Sequence, residues 1–197
     1  MSTGQNLGRA RGSILEAATR LFGAQGYAGT TMRDIATAVG VLPGSLYTHI
    51  SGKETLLLEI VEAGIDQFLT LHDVAGPETD APEVRLRAVI KGHVEIVAEN
   101  PERTLVVFHQ WRFLSGESLD RVVDKRRQYE ALFTTLVEDG IRSGGFDATL
   151  DTKVAVLSVL GALNWTPEWY SPDGPDSADE IGDRLADTLL GGLRTRG

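Results

Sequence analysis

The chain has 197 residues, 42% of them hydrophobic and none of them cysteine. It can therefore bury a core, and disulfide frameworks, thiolate metal sites and thiol chemistry are excluded. No apolar run is long enough to cross a bilayer, and the opening MSTGQNLGRARG lacks the apolar stretch of a signal peptide, so a soluble cytoplasmic protein is expected. The net charge of −9 argues against a polyanionic partner, yet it is unevenly spread. Residues 1–60 hold five basic groups (Arg9, Arg11, Arg20, Arg33, Lys53) and four acidic ones (Glu16, Asp34, Glu54, Glu59), a balance of +1 that leaves −10 on the rest. A neutral-to-basic head on an acidic body is expected where only one end meets nucleic acid.

In chain order, Ile14, Leu15, Ala18, Leu21 and Phe22 repeat at helical spacing and predict a helix over 9–25, with Gly26 as its stop. Thr31 and Asp34 have capping-box spacing and open a helix running to Gly40. Pro43 opens a short helix expected to reach residue 50. Ser51 and Glu54 predict another capping box, launching an amphipathic helix over 53–71. The loop DVAGPETDAP follows. Further helices are expected over 82–99, 101–114, 117–143, 151–169 and 177–194, the last opened by Ser177 and Glu180. No strand pattern competes.

The helix to residue 39, the turn Gly40-Val41-Leu42 and the helix from Pro43 read as a helix-turn-helix, with the 9–25 helix packed across it through Ile14, Leu21 and Phe22. Such a unit presents the start of its second helix to the major groove. Here that end offers Pro43, Gly44, Ser45, Tyr47, Thr48 and His49, and the helix N-termini at Thr31 and Ser51 add backbone donors for phosphate.

The segment ILEAATRLFGAQGYAGTTMRDIATAVGVLPGSLYTHISGKETLL, about residues 10–60, resembles the DNA-binding region of the TetR family of transcriptional regulators. The likeness lies in LF-x3-GY, TT-x2-DIA-x2-VGV, G-x-LY-x-H and K-E-x-L together. It implies a homodimer on double-stranded DNA and a helical C-terminal domain that takes a small inducer. By position it implies phosphate contacts from Thr31, Ser45, Tyr47, His49 and Lys53. Pro43, Gly44 and Thr48 would lie nearest base edges, with an arm of Arg9 and Arg11 on the backbone or in the minor groove. Two positions depart from the pattern. Leu42 stands where Ser or Thr commonly caps the recognition helix, and Ile50 stands where an aromatic is usual. Leu42 forfeits a cap worth about 1 kcal/mol, partly offset by Pro43. Pro43 and Gly44 cannot make the paired hydrogen bonds that read G or A, so thymine-methyl contact, arm contacts and DNA shape must carry more of the specificity.

Beyond residue 82, Phe108, His109, Trp111, Arg112 and Phe113 form one aromatic cluster and Asn164, Trp165, Trp169 and Tyr170 another. They suit an apolar pocket with a few polar groups, and equally a core with a dimer face. Arg121, Lys125, Arg126 and Arg127 form a basic run that reads either as a solvated face or as a receiver of ligand phosphates. FHQWRFL and the stretch from NWTPEWY to LLGGL are similar to TetR-family regulators that respond to acyl-CoA thioesters of fatty-acid or sterol-ring breakdown. That likeness implies an elongated acyl pocket with basic residues at its mouth for CoA. The family likeness also implies dimerisation through the last two helices, where Gly161, Gly191 and Gly192 permit close approach.

The expectation is therefore an all-α chain of about nine helices. A three-helix helix-turn-helix domain spans 1–52, and a helical ligand-binding and dimerisation bundle spans 53–197. The expected function is a repressor released from a pseudo-palindromic operator by an inducer, an acyl-CoA thioester ahead of the alternative, a lipophilic cation as in regulators of drug efflux. An enzyme on a helical bundle is the remote alternative. The four scattered histidines lack metal-ligand spacing, and no nucleophile elbow, phosphate loop or dinucleotide fingerprint is present, so neither catalytic residues, a metal nor a cofactor is expected.

Overall fold

The computed structural model describes residues 3–48 and 50–194, with side chains described from residue 10 onward. Among these residues the regular structure is entirely helical: α1 (Thr3–Gly29), α2 (Met32–Val39), α3 (Pro43–Leu46), α4 (Lys53–Leu69), α5 (Leu71–Val74), α6 (Pro82–Glu99), α7 (Pro101–Leu105), α8 (Gly116–Ser143), α9 (Thr152–Asn164), α10 (Thr166–Trp169) and α11 (Ala178–Leu193). A π-helical turn, Val106–Gln110, and a 3-10 turn, Trp111–Phe113, extend α7. No helix among the described residues is long and apolar enough to cross a membrane.

The chain forms two compact units. The first comprises Met1–Gly64 with Glu102–Val123, and the second Ile65–Pro101 with Asp124–Gly197. In the first, Ile14, Ala18 and Phe22 of α1 are buried with Ile35 and Ala36 of α2, Leu46 of α3 and Leu56 and Leu57 of α4. This core holds the exposed face of the helix-turn-helix from behind. In the second unit α6 packs along α11. Leu86, Val89 and Ile90 are buried on one of these helices, and Ala186 and Leu190 on the other. Arg87 pairs with Asp183 and Asp187, and Lys91 with Asp179 and Asp183, along that contact.

Two of the three expected capping boxes form. Thr31 Oγ1 accepts from the Asp34 N–H (3.2 Å) while Asp34 accepts from the Thr31 N–H (2.8 Å), and Ser177 with Glu180 repeats the arrangement. The third does not. Ser51 shares its hydroxyl hydrogen bond with Thr55 (2.7 Å), and the Glu54 carboxylate instead accepts from the Ser115 N–H and hydroxyl, each at 3.0 Å. Gly26 (φ 78, ψ 159) breaks α1, and Gly40 (φ 78, ψ 31) takes the left-handed conformation that ends α2.

Three helices end sooner than the pattern predicts. α3 makes a single turn and stops at Leu46, not at residue 50. Its start has no side-chain cap, and the Thr48 hydroxyl occupies the Ser45 carbonyl at 2.7 Å, the acceptor a continuing helix would use. The 101–114 helix rewinds after Leu105 into π and 3-10 turns. The 151–169 helix breaks at Trp165, because Pro167 has no N–H for the Leu163 carbonyl and its ring clashes there.

Candidate functional site

The helix-turn-helix begins at the Gly26 break. There the Thr30 side chain, fully buried, donates to the Gly26 carbonyl at 2.9 Å, which closes the end of α1 and hands the chain to the Thr31 cap. The Lys53 ammonium, from the first turn of α4, donates to the carbonyls of Tyr27 (2.7 Å) and Thr30 (2.8 Å) and lies 4.1 Å from the centre of the Tyr27 ring. A cation at the end of α1 suits its dipole and satisfies carbonyls that have no helical partner. Lys53 thus has an internal role beside the phosphate contact expected of it.

On the outer side, all residues from Gly40 to Ser45 are exposed, as are Tyr47 and Thr48, while Leu46 turns into the core. Thr31 is exposed as well, with its hydroxyl donating to Asp34 at 2.7 Å. These hydrogen bonds hold the Asp34 carboxyl below its ordinary value. Pro43, Gly44, Ser45, Tyr47 and Thr48 therefore share one accessible surface. Arg11 pairs with Glu59 of α4, its Nε donating at 3.3 Å. Arg9 lies on α1 with its side chain outside the described set, and His49 lies outside the described residues.

The same unit contains the first aromatic cluster. Phe108 is buried, His109 and Trp111 are half-buried, and Arg112 is exposed with its guanidinium 5.8 Å from the Trp111 ring. Gln110, in the π turn, accepts the Tyr27 N–H at 3.0 Å, and Phe113 stacks on the Tyr27 ring with centroids 5.3 Å apart. Burial and the nearby Glu54 carboxylate raise the Tyr27 phenol above its ordinary value, so it stays neutral and packs as a ring. The segment after α7 is thereby fastened to the end of α1 and, through Ser115 and Glu54, to the start of α4.

In the second unit Trp165 and Trp169 are 58% and 48% exposed. Sequence reasoning overlooked a group in the core there. His93 is wholly buried, its Nε2 donates to the Leu163 carbonyl freed by the Pro167 break (3.1 Å), and its Nδ1 accepts from the Tyr129 hydroxyl (2.6 Å). Phe68 and Phe133 pack on the pair. Burial pushes His93 down to about 3 and Tyr129 well up, so both are neutral. The Asn164 Oδ1, one residue beyond Leu163, is buried without a hydrogen-bond partner among the described residues. The signal available in sequence was the Pro167 break, which predicts an orphan carbonyl but not its donor. On α8, Arg121 pairs with Glu62 (2.8 Å), Lys125 with Asp66 and Arg127 with Asp124 (3.1 Å), while Arg126 acts electrostatically on the Tyr129 phenol.

Two family models match this chain. The one for bacterial regulatory proteins of the tetR family covers residues 14–60, and the tetracyclin repressor-like C-terminal domain covers residues 79–193. The chain belongs to the TetR family. TetR-family proteins are DNA-binding regulators and not enzymes, so the exposed face of residues 40–48 belongs to a transcription regulator. Within the family, the chain is 28% identical to the HTH-type transcriptional repressor KstR2 of Mycobacterium tuberculosis over 95% of its own length and 94% of the relative's. The solved structure of that ketosteroid transcriptional regulator superposes with a TM-score of 0.84 over 94% of this chain and 95% of that one, at 26% identity. The crystal structure of AibR in complex with isovaleryl coenzyme A and operator DNA gives a TM-score of 0.79 at 30% identity, covering 94% of this chain and 97% of that one. PfmR from Thermus thermophilus, also of the TetR family, gives 0.82 at 30% identity, with 92% and 99% covered.

Proposed function

We propose that this regulator is a homodimeric cytoplasmic repressor that leaves its operator when an acyl-CoA thioester binds. The observation that carries the inducer class is the likeness, over nearly the whole chain, to AibR with its bound isovaleryl coenzyme A and operator DNA. The likeness to KstR2, a ketosteroid regulator by name, supports lipid or sterol breakdown as the setting. Function divides the chain at residue 52. Residues 1–52 meet DNA, with Thr31, Ser45, Tyr47 and His49 on phosphates, Pro43, Gly44 and Thr48 towards base edges, and Arg9 and Arg11 as the arm, and Lys53, just past that boundary, adds a further phosphate contact. Residues 53–197 bind ligand and dimerise.

Dimerisation through α9 and α11 is supported by the apolar groups left in solvent there. Val154 and Leu157 are 59% and 51% exposed, and a cleft of about 300 Å³ opens between Val154, Val159, Leu189 and Leu193. An added Cβ at Gly161, Gly191 or Gly192 meets no atom within 4 Å, which leaves room for a partner helix. The dimer would hold two recognition helices about 34–36 Å apart, one DNA turn.

For the ligand's acyl part the candidate contacts are Phe108, His109, Trp111 and Arg112 in the first unit and, separately, Trp165 and Trp169 in the second. Its phosphates would exchange for the carboxylates now paired with Arg121, Lys125 and Arg127, with Arg126 beside them. α4 contributes residues to both compact units. A ligand-driven shift of the segment after α7 would pull on Gln110–Tyr27 and Glu54–Ser115, and so on α1 and the start of α4. Changing the separation of the two heads by even part of a turn denies simultaneous engagement of both half-sites and forfeits the avidity of the dimer. A thermal-shift screen of acyl-CoA thioesters of rising chain length against lipophilic cations tests the inducer class. Stabilisation by thioesters alone supports it, and stabilisation by the cations alone overturns it.

A further inference from the structure

The DNA-binding reading leaves open how a base sequence is read by a recognition helix with so few polar groups. Leu42 is 77% exposed, the most exposed large apolar side chain among the described residues. The fold places no demand for a leucine there. Leu42 supplies the extended residue (φ −69, ψ 141) before α3, a conformation open to any residue, and its side chain makes no cap. Meanwhile the hydrogen-bonding groups around it are missing or occupied. Pro43 has no N–H, Gly44 has no side chain, and the Thr48 hydroxyl donates to the Ser45 carbonyl at 2.7 Å. None of these three makes the paired bonds that identify guanine or adenine.

The major groove offers one apolar mark on a base edge, the 5-methyl group of thymine. An added Cβ at Gly44 meets no heavy atom within 4 Å, so the backbone beside Leu42 is unobstructed and can come close to the groove floor. The exposed hydroxyls of Ser45 and Tyr47 flank the same surface and suit phosphate rather than an apolar contact. We infer that Leu42 is a specificity-determining residue that packs on the 5-methyl group of a thymine in each half-site. The inference rests on the DNA-binding reading and refines it. At a position where it forfeits a helix cap, the Leu42 side chain reads a base.

The test separates the two. Duplexes of about 30 base pairs with randomised sequence are selected on the full-length protein, and each thymine of the recovered sequence is then replaced by deoxyuridine, which removes the methyl group alone. Wild-type binding falls about fourfold at one thymine per half-site, the ratio expected for one buried methyl group. Leu42→Ala melts like wild type, because the side chain lies outside the core, Leu42→Ser melts no lower, because serine can supply the missing helix cap, and neither distinguishes thymine from deoxyuridine at that position. The inference is overturned if wild type tolerates every deoxyuridine, or if both variants keep the full penalty. Recovery of no duplex overturns the DNA-binding reading and the inference with it.

Discussion

Replacing Lys53 with methionine separates two roles that this residue can hold. Its ammonium donates at 2.7 and 2.8 Å to two carbonyls at the end of α1 and faces the Tyr27 ring at 4.1 Å. A hydrogen bond from a charged group contributes about 1.5–3 kcal/mol and a partly exposed cation–π contact about 0.5–1. The two carbonyls share one ion, Lys53 is half-buried, and the carbonyls regain water in the variant, so the sum is not additive. The expected loss is about 2 kcal/mol, or about 4–8 °C in melting temperature for a chain of this size. Methionine keeps the aliphatic length, so little packing is lost with the charge. Urea denaturation followed by tryptophan fluorescence measures the first quantity, and anisotropy of a labelled operator duplex measures DNA affinity on the same sample. Both should fall together, because the cap on α1 also positions Thr31 and the turn. An unchanged denaturation midpoint with weakened DNA binding would refute this account and leave Lys53 as a phosphate contact alone.

Three further outcomes are expected. Burial pushes His93 from an ordinary 6.5 to about 3, so the unfolded chain takes a proton that the folded chain refuses. Its contribution is complete above about pH 6.5 and is lost as pH falls towards 3, at about 1.4 kcal/mol per unit. His93→Gln should flatten stability over that window by one proton, and an unaltered slope would contradict the buried neutral histidine. Gln110→Ala deprives the Tyr27 N–H of its acceptor, which should cost about 1–2 kcal/mol and speed hydrogen exchange at the Tyr27 amide. Unchanged protection there would mean the π turn does not hold α1. Leu157→Glu places a charge on the exposed face of α9. Light scattering should then find a dimer for wild type and a monomer for the variant, and a dimeric variant would move the interface elsewhere.

What sequence shows about this molecule follows from how local each feature is. The helix-turn-helix was legible because its signals lie within a few residues: the Thr31–Asp34 box, the left-handed Gly40, Pro43 at the start of α3. The Ser51–Glu54 pair has the same spacing and fails, because Ser115, 61 residues from Glu54, competes for the carboxylate. Distant partners decide the basic run too. Arg121 and Lys125 each meet a carboxylate 59 residues away, which no helical wheel displays. The break after α9 was written in Pro167, and the apolar stripe of Val156, Val159, Leu160 and Leu163 running up to it concealed it. The freed carbonyl then needed His93, 70 residues away, to have a meaning. The DNA face is thus a local construction, whereas the interior of the bundle depends on contacts between helices. Family resemblance assigns roles residue by residue to the first and only a class of ligand to the second.

In the proposed mechanism, ligand binding in the bundle empties the DNA site. Titrating isovaleryl coenzyme A and longer acyl-CoA thioesters into protein held on a fluorescently labelled operator duplex, with free coenzyme A as control, measures it directly. Anisotropy should fall to the value of free DNA with at least one thioester and stay high with coenzyme A. A thioester that binds, as shown by calorimetry, and leaves the anisotropy unchanged at saturation would contradict it.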